Sequence, residues 1–155
     1  MAYESDPVAH KLNDLVSSQG LYFGLICFDE LNLAEKALTG TWELVNEIYN
    51  GGFTQYFRNS SREHALPMIA VFHSIDAPRV AEILETALAL ADSTPSRSNQ
   101  SNFAAKVDGK KSLAQLEREL YGELDDLHLL VFRYLSKHRD QIDAPAEFWM
   151  ETTSQ

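Results

Sequence analysis

From about Asp29 to Asn50, apolar side chains return every three or four residues. Leu38, Trp42, Val45 and Tyr49 form one stripe, which Leu44 and Ile48 widen. That period is the pitch of an α-helix with one face on a core. Glu35, Glu43 and Glu47 fall on the other side, and Asp29 can cap the start. The run then meets Asn50-Gly51-Gly52-Phe53. Asn and Gly enter the left-handed region most cheaply, so this tetrapeptide predicts a helix end whose last carbonyls an αL residue satisfies. Gly40, inside the segment, leaves a division into two helices near it open.

The same periodicity organises the rest of the chain. A first helix is predicted over 5–18, with Val8, Leu12, Leu15 and Val16 on one stripe and Gly20 as its stop. Leu21 to Phe28 is continuously apolar and would suit a short strand. It has no second strand-like run to pair with, and reads as a buried connector or helical turn. Beyond the glycines, Phe53, Tyr56 and Phe57 make a short aromatic face. Ser60 with Glu63 matches a capping box for a helix over about 61–74, which buries Ala65, Ile69 and Phe72. Asp76 or Ala77 with Pro78 opens the next helix, whose Val80, Ile83, Leu84, Ala87 and Leu88 face inward.

Residues 93–111 are polar, with Phe103 as the large apolar anchor and Lys106, Lys110 and Lys111 as the most basic stretch, and predict a long surface loop. Ser112 with Gln115 is a second capping-box match, starting a helix through Leu113, Leu116 and Leu120. Gly122 is expected to interrupt it, and Asp125 or a neighbour to restart it through Leu127, Leu130, Val131, Tyr134 and Leu135. One more turn or short helix is expected around Pro145, Phe148 and Trp149. The expectation is an all-α fold: a single domain over 1–155 of six to eight mostly antiparallel helices. A chain of this length can bury roughly two-thirds of its unfolded surface.

Charge narrows the function. Asp and Glu total 23 against 13 Lys and Arg, a formal net charge of -10. Such a field repels phosphate backbones and anionic lipid, so direct binding to nucleic acid or membrane is not expected, and it attracts basic partners. Acidity for solubility alone is the plainer account. No stretch approaches the ~18 apolar residues of a membrane span. Met1 to Pro7 is polar with Glu4 and Asp6, which does not suit a secretory leader, so a cytoplasmic location is expected.

Catalytic and metal patterns are sparse, and neither an enzyme, a metal nor a cofactor is expected. Gly51-Gly52 follows a helix, whereas a phosphate-cradling loop precedes one and ends in Lys-Ser/Thr. His10, His64, His73, His128 and His138 contain no i, i+4 pair. His64 beside Glu63 and His128 near Asp125 suggest a general base, but a surface or capping histidine explains both. Cys27, alone in an apolar run without a neighbouring base, reads as a buried structural thiol. The densest acids are Glu117, Glu119, Glu123, Asp125 and Asp126. They lack the alternating oxygen ligands and turn glycine of a calcium loop. Charge matching at a helix N-terminus accounts for Glu123, Asp125 and Asp126 without a ligand.

Glu47-(x2)-Asn50-Gly51-Gly52-Phe53-x-Gln55-Tyr56-Phe57-x-Asn59-Ser60 resembles the signature of the DNA mimic protein 19 family, a domain of unknown function. Ile75-Asp76-Ala77, Glu123-Leu124-Asp125-Asp126 and Tyr134-Leu135-(x2)-His138 agree with it, so the resemblance spans about Glu30 to Asp140. It implies an all-α fold and, as in the family's namesake, an acidic homodimer that imitates duplex DNA and occupies a transcription factor. Asn50, Gly51, Gly52, Phe53, Gln55, Phe57 and Asn59 read as structural: a helix stop, an aromatic wedge, and two amides for nearby backbone.

Mimicry sets a charge-density requirement. Duplex DNA presents about one charge per 1.7 Å of axis. Acids four apart on a helix, such as Glu43 and Glu47, are about 6 Å apart. Several acidic faces must converge, and Lys36, Arg118 and Arg133 dilute any single stripe. The leading expectation is a non-enzymatic acidic protein that binds a basic partner through Glu43, Glu47, Glu117, Glu119, Glu123, Asp125 and Asp126. A small-molecule or hydrolytic pocket near Gln55, Tyr56, Asn59 and His64 is the second reading. An immunity-type partner protein is the third.

Overall fold

A computed structural model describes residues 6–19, 27–59, 62–92 and 111–150. Among these residues the chain is all-α. Six α-helices, α1 (Pro7–Gln19), α2 (Leu33–Arg58), α3 (Arg62–Ser74), α4 (Pro78–Asp92), α5 (Leu113–Lys137) and α6 (Ala146–Trp149), are accompanied by 3-10 turns at Phe28–Glu30 and Arg139–Gln141. α2 and α5 are the long central pair. α1 and the α3–α4 hairpin each pack against both, and the 3-10 turn at Arg139–Gln141 also touches both. Their apolar faces meet in one core in which Leu38, Leu44, Ile48, Phe53, Tyr56, Phe72, Leu120 and Leu127 are almost wholly buried. No helix among the described residues is long and apolar enough to cross a membrane.

Helix starts follow local chemistry, with corrections. α2 begins at Leu33, not near Asp29, because Asn32 takes the cap. Its side chain accepts from Glu35 N at 2.9 Å while Glu35 Oε1 accepts from Asn32 N at 3.1 Å. Asp29 belongs instead to the preceding 3-10 turn. The reciprocal pair Ser112–Gln115 opens α5 as expected, at 2.8 and 3.2 Å. Asp6 caps α1 through Val8 N at 2.9 Å. Cys27, expected to be buried, is instead exposed. Ser60, Leu21 to Ile26 and most of the predicted polar loop lie outside the described residues.

Between α3 and α4, Asp76 takes φ 63 as a left-handed terminator. Ala77 N donates to Phe72 O at 2.8 Å and Asp76 N to His73 O at 3.3 Å, the two bonds that close a helix behind an αL residue. Pro78 then stands at the first position of α4, where its missing N–H costs nothing. Asp76 therefore ends α3, and Ala77 precedes the first turn of α4.

The glycines at 40, 51, 52 and 122 act in different ways. Gly40 does not divide α2; it lets Met68 of α3 lie against the helix, where a Cβ would collide with the thioether. Gly51-Gly52 ends the first helical segment of α2, as expected, and a second segment that Phe53 opens follows at once across a kink and continues to Arg58. Gly52, at φ 73 and ψ -170, lies in a region essentially restricted to glycine, and not in αL. Gly122 neither interrupts α5 nor packs on anything, so Asp125 restarts no helix: α5 runs unbroken, with open space where a Cβ would stand.

These environments predict opposite signs for one substitution. Gly52→Ala meets backbone strain of about 1–3 kcal/mol and a clash with the Glu117 carboxylate, and should destabilise the fold by at least that much. Gly122→Ala should stabilise it by about 0.5–1 kcal/mol, the helix-interior difference between the two residues. Urea unfolding of both variants checks the pair, and a destabilised Gly122→Ala would contradict the open surroundings.

Candidate functional site

The acids singled out in the sequence occupy three kinds of place. Glu43 is 3% exposed and does not belong to any acidic surface. Its carboxylate lies 2.8 and 3.1 Å from His64 Nδ1, and His64 stacks on Phe28 with centroids 4.2 Å apart. A buried carboxylate needs such a partner, since an uncompensated charge in the core is costly. Tyr56 lies in the same electrostatic neighbourhood. Burial first, then Glu43 and Glu47, push its phenol far above the ordinary range, so it stays neutral.

Glu117 and Glu119 are partly buried and engaged. Glu117 reaches from α5 to the kink of α2, where Oε1 accepts from Phe53 N at 2.8 Å. Phe53 opens the second segment of α2, so a carboxylate stands at the positive end of a helical segment. Gly52 makes this approach feasible, because a Cβ there would strike the same oxygen. Glu119 bridges Lys111 at 2.6 Å and Arg79 at 3.3 Å. The Lys111 hydrogen bond and then the charges of Lys111 and Arg79 hold its carboxyl below the usual range. Its contribution to stability is therefore present at neutral pH and fades as pH falls through that lowered value.

Glu47, Glu123, Asp125 and Asp126 complete the set. Glu47 is half-buried and accepts from Asn59 Nδ2 at 2.7 Å, across the kink. Glu123 is half-buried within electrostatic reach of Arg79. Asp125 and Asp126 are exposed. All three of the last named lie in the middle of α5, so matching to a helix N-terminus does not explain them.

The signature residues gather around the kink. Phe53 stacks on Phe57 at 5.7 Å, and Tyr56 meets Phe57 edge-on at 5.3 Å, all three buried. The Gln55 side chain lies over Gly51, and Asn59 is tied to Glu47. Asn50 and Gly51 are exposed. Gln55 thus packs on Gly51, Asn59 bonds Glu47 and His64 bonds Glu43. Two cavities in the described part lie elsewhere. One is a groove of about 370 Å³ beside Lys11, Leu15, Pro145 and Phe148, and the other a void of about 10 Å³ beside Thr41, Trp42 and His128. No group of three or more His, Cys, Asp or Glu side chains among the described residues is placed to hold a metal ion.

Two pairings escaped sequence reasoning, which looked to near neighbours. His64 meets Glu43, 21 positions earlier. His128 is buried against Asp6 at 3.1 Å, which joins α5 to the capped start of α1. Sequence distance gave no signal for either. Tyr49, which periodicity placed on the buried stripe of α2, is instead exposed and pairs with the exposed ring of Tyr121, to which periodicity gave no role.

Buried aromatics around a glycine kink, with a carboxylate capping it from a second helix, form the centre of this acidic all-helical protein. Residues 29–138, more than half of the chain, match the family described as DMP19-like protein. The chain belongs to that family. No curated protein matches it. No solved structure does either.

The Glu43–His64 contact predicts a stability effect. His64→Ala removes this partner from the buried carboxylate and should cost about 2–3 kcal/mol, below the ~3–5 of a fully buried pair because His64 keeps some solvent contact. Glu117→Ala should cost about 1–2 kcal/mol as a lost cap, and Glu117→Gln less. Denaturant unfolding at neutral pH ranks the three, and an Ala effect at Glu117 no larger than the Gln effect would remove the capping role.

Proposed function

We propose that this chain is a non-enzymatic acidic interaction protein whose partner is a basic protein, a DNA-binding regulator being the form suggested by the family. The observation that carries the reading is how opposite charges are disposed. Many cations turn onto the protein itself. Arg62 pairs with Asp92, Arg79 with Glu82 and Glu119, and Lys111 with Glu119. Lys11 lies 5.6 Å from the Phe132 ring centre, Lys36 5.6 Å from that of Phe28, and Arg139 4.7 Å from that of Trp149. Asp14, Glu85, Asp125 and Asp126, by contrast, are exposed.

A chain of net charge -10 presents a negative field even with Arg58, Arg118, Arg133 and Lys137 exposed, and that field steers basic partners and repels nucleic acid. Glu43, Glu117 and Glu119 are withdrawn from that surface by their internal partners. The interaction surface is accordingly centred on the outer side of α5, with Glu47 and Glu123 at its margin. Duplex-like charge density needs more than this one face, so the DNA-mimic form of the reading calls for a homodimer that sets two acidic faces side by side. The kink motif Asn50-Gly51-Gly52-Phe53 supports the fold in this account and does not meet the partner.

Charge-driven binding must weaken with ionic strength. The chain should bind a labelled octa-arginine peptide at low salt, lose affinity steadily as salt rises, and ignore the uncharged citrulline counterpart. Fluorescence anisotropy across a salt series measures this. Absence of binding at low salt would sink the reading, as would affinity indifferent to salt.

A further inference from the structure

Tyr49, at the end of the first segment of α2, and Tyr121, in α5, are large side chains left 43% and 40% exposed. Their ring centroids are 5.0 Å apart and their planes are tilted by 45°. The Tyr121 hydroxyl donates to Ile48 O at 3.3 Å, which holds its ring against the end of that segment. Both phenols are raised above their ordinary pKa, chiefly by burial. Tyr121 and then Asp125 add to this at Tyr49, and Glu117 at Tyr121. Both rings are therefore neutral at physiological pH.

Tyr121 begins an outward face. Gly122 follows, with nothing near the place of its absent side chain, and one turn on come the exposed carboxylates Asp125 and Asp126. Tyr121 and Asp125, like Gly122 and Asp126, are four apart and so lie one above the other on the helix. Arg118, exposed a turn earlier, bounds the patch. A glycine inside a long exposed helix weakens it, and packing supplies no reason for this one. Its consequence is bare backbone beside a ring, open to close approach.

The chemistry of the patch selects its occupant. The faces of neutral phenol rings attract cations. A guanidinium is flat, stacks on such faces, is weakly hydrated, and presents paired N–H donors to a carboxylate. An ammonium lacks the plane and holds its water more tightly. A phosphate is repelled by Asp125 and Asp126, and an apolar helix laid here would strip water from both without pairing them.

The geometry points to an arginine-docking clamp: Tyr49 and Tyr121 take the guanidinium plane, Asp125 takes its N–H donors, and Gly122 gives the partner's chain room. The occupant is an arginine-bearing segment of a basic protein. This rests on the acidic-interaction reading above and adds to it a location and a preferred residue.

The full chain, titrated with labelled octa-arginine and octa-lysine peptides at one salt concentration, tests it. The arginine peptide should bind up to about fivefold more tightly, the top of the range an exposed cation–ring contact supplies. Tyr49→Leu/Tyr121→Leu should remove that preference, and Asp125→Asn should weaken the arginine peptide more than the lysine one. Gly122→Gln places a side chain in open space, keeps α5 intact, and should still lower arginine-peptide affinity several-fold. It therefore decides the matter even if the tyrosine variant fails to fold by circular dichroism. Arginine-peptide affinities of the folded variants within about twofold of the parent overturn the clamp while leaving the acidic-interaction reading in place. Binding of neither peptide to the parent overturns both. A parent that doubles in mass by light scattering, and reverts on Gly122→Gln, gives the face to a second copy and also overturns the clamp.

Discussion

The carboxylate of Glu117 resting on the N–H of Phe53 ties together the two longest helices of this protein. It spans 64 positions of sequence and depends on Gly52 having no side chain. At a kink, the N–H groups that open the new segment lose their helical acceptors and must find others. Here one acceptor is a full negative charge at the positive end of that segment, a stronger match than a neutral cap. The second segment of α2 can then turn Phe53, Tyr56 and Phe57 together into the core, while Asn59 reaches back to Glu47 across the bend. Both ends of the Glu117 contact fall within residues 29–138, the stretch matched by the DMP19-like family.

Helix periodicity and capping were readable without coordinates because both are local. The stripe of Leu38, Val45 and Ile48, the Ser112–Gln115 box and Pro78 at a helix start each depend on residues within one or two turns. The errors at glycine share one physical origin. Propensity treats glycine as a breaker, yet its effect depends on what occupies the vacated space. Met68 fills it at Gly40, Glu117 fills it at Gly52, and nothing fills it at Gly122. Packing on Met68 goes with an unbroken helix at the first, and the buried Leu120 and Leu124 on either side carry α5 through the third. At the second the expected stop is followed at once by a new helical segment.

The acids were harder to read for a related reason. Composition reports a net charge but not which carboxylates are consumed. Glu43 sits on the same helix as Glu47, one turn earlier, and a charge pattern cannot tell them apart. Glu43 and Glu47 share a side of the helix, but Glu43 lies where His64 of α3 packs, and Glu47, one turn further on, lies nearer the bend beside Asn59. Three acids of the same type thus hold a histidine, cap a kink and bridge two cations, and each is lost to any external partner. What remains outward is fewer charges than the composition suggests, in a more definite place.

That place is connected to the kink through the register of α5. Glu117 and Tyr121 are four residues apart and therefore lie on one face of the helix. When Glu117 is fixed on Phe53 N, Tyr121 is carried to the end of the preceding segment, where its hydroxyl finds Ile48 O and its ring meets Tyr49. A rotation of α5 large enough to release the carboxylate would also move the ring. The buried contact and the exposed aromatic pair are two outcomes of one helix orientation. Gly52 therefore bears on the outer surface without meeting it: it admits Glu117, Glu117 sets α5, and α5 presents Tyr121, Gly122 and Asp125 to whatever approaches.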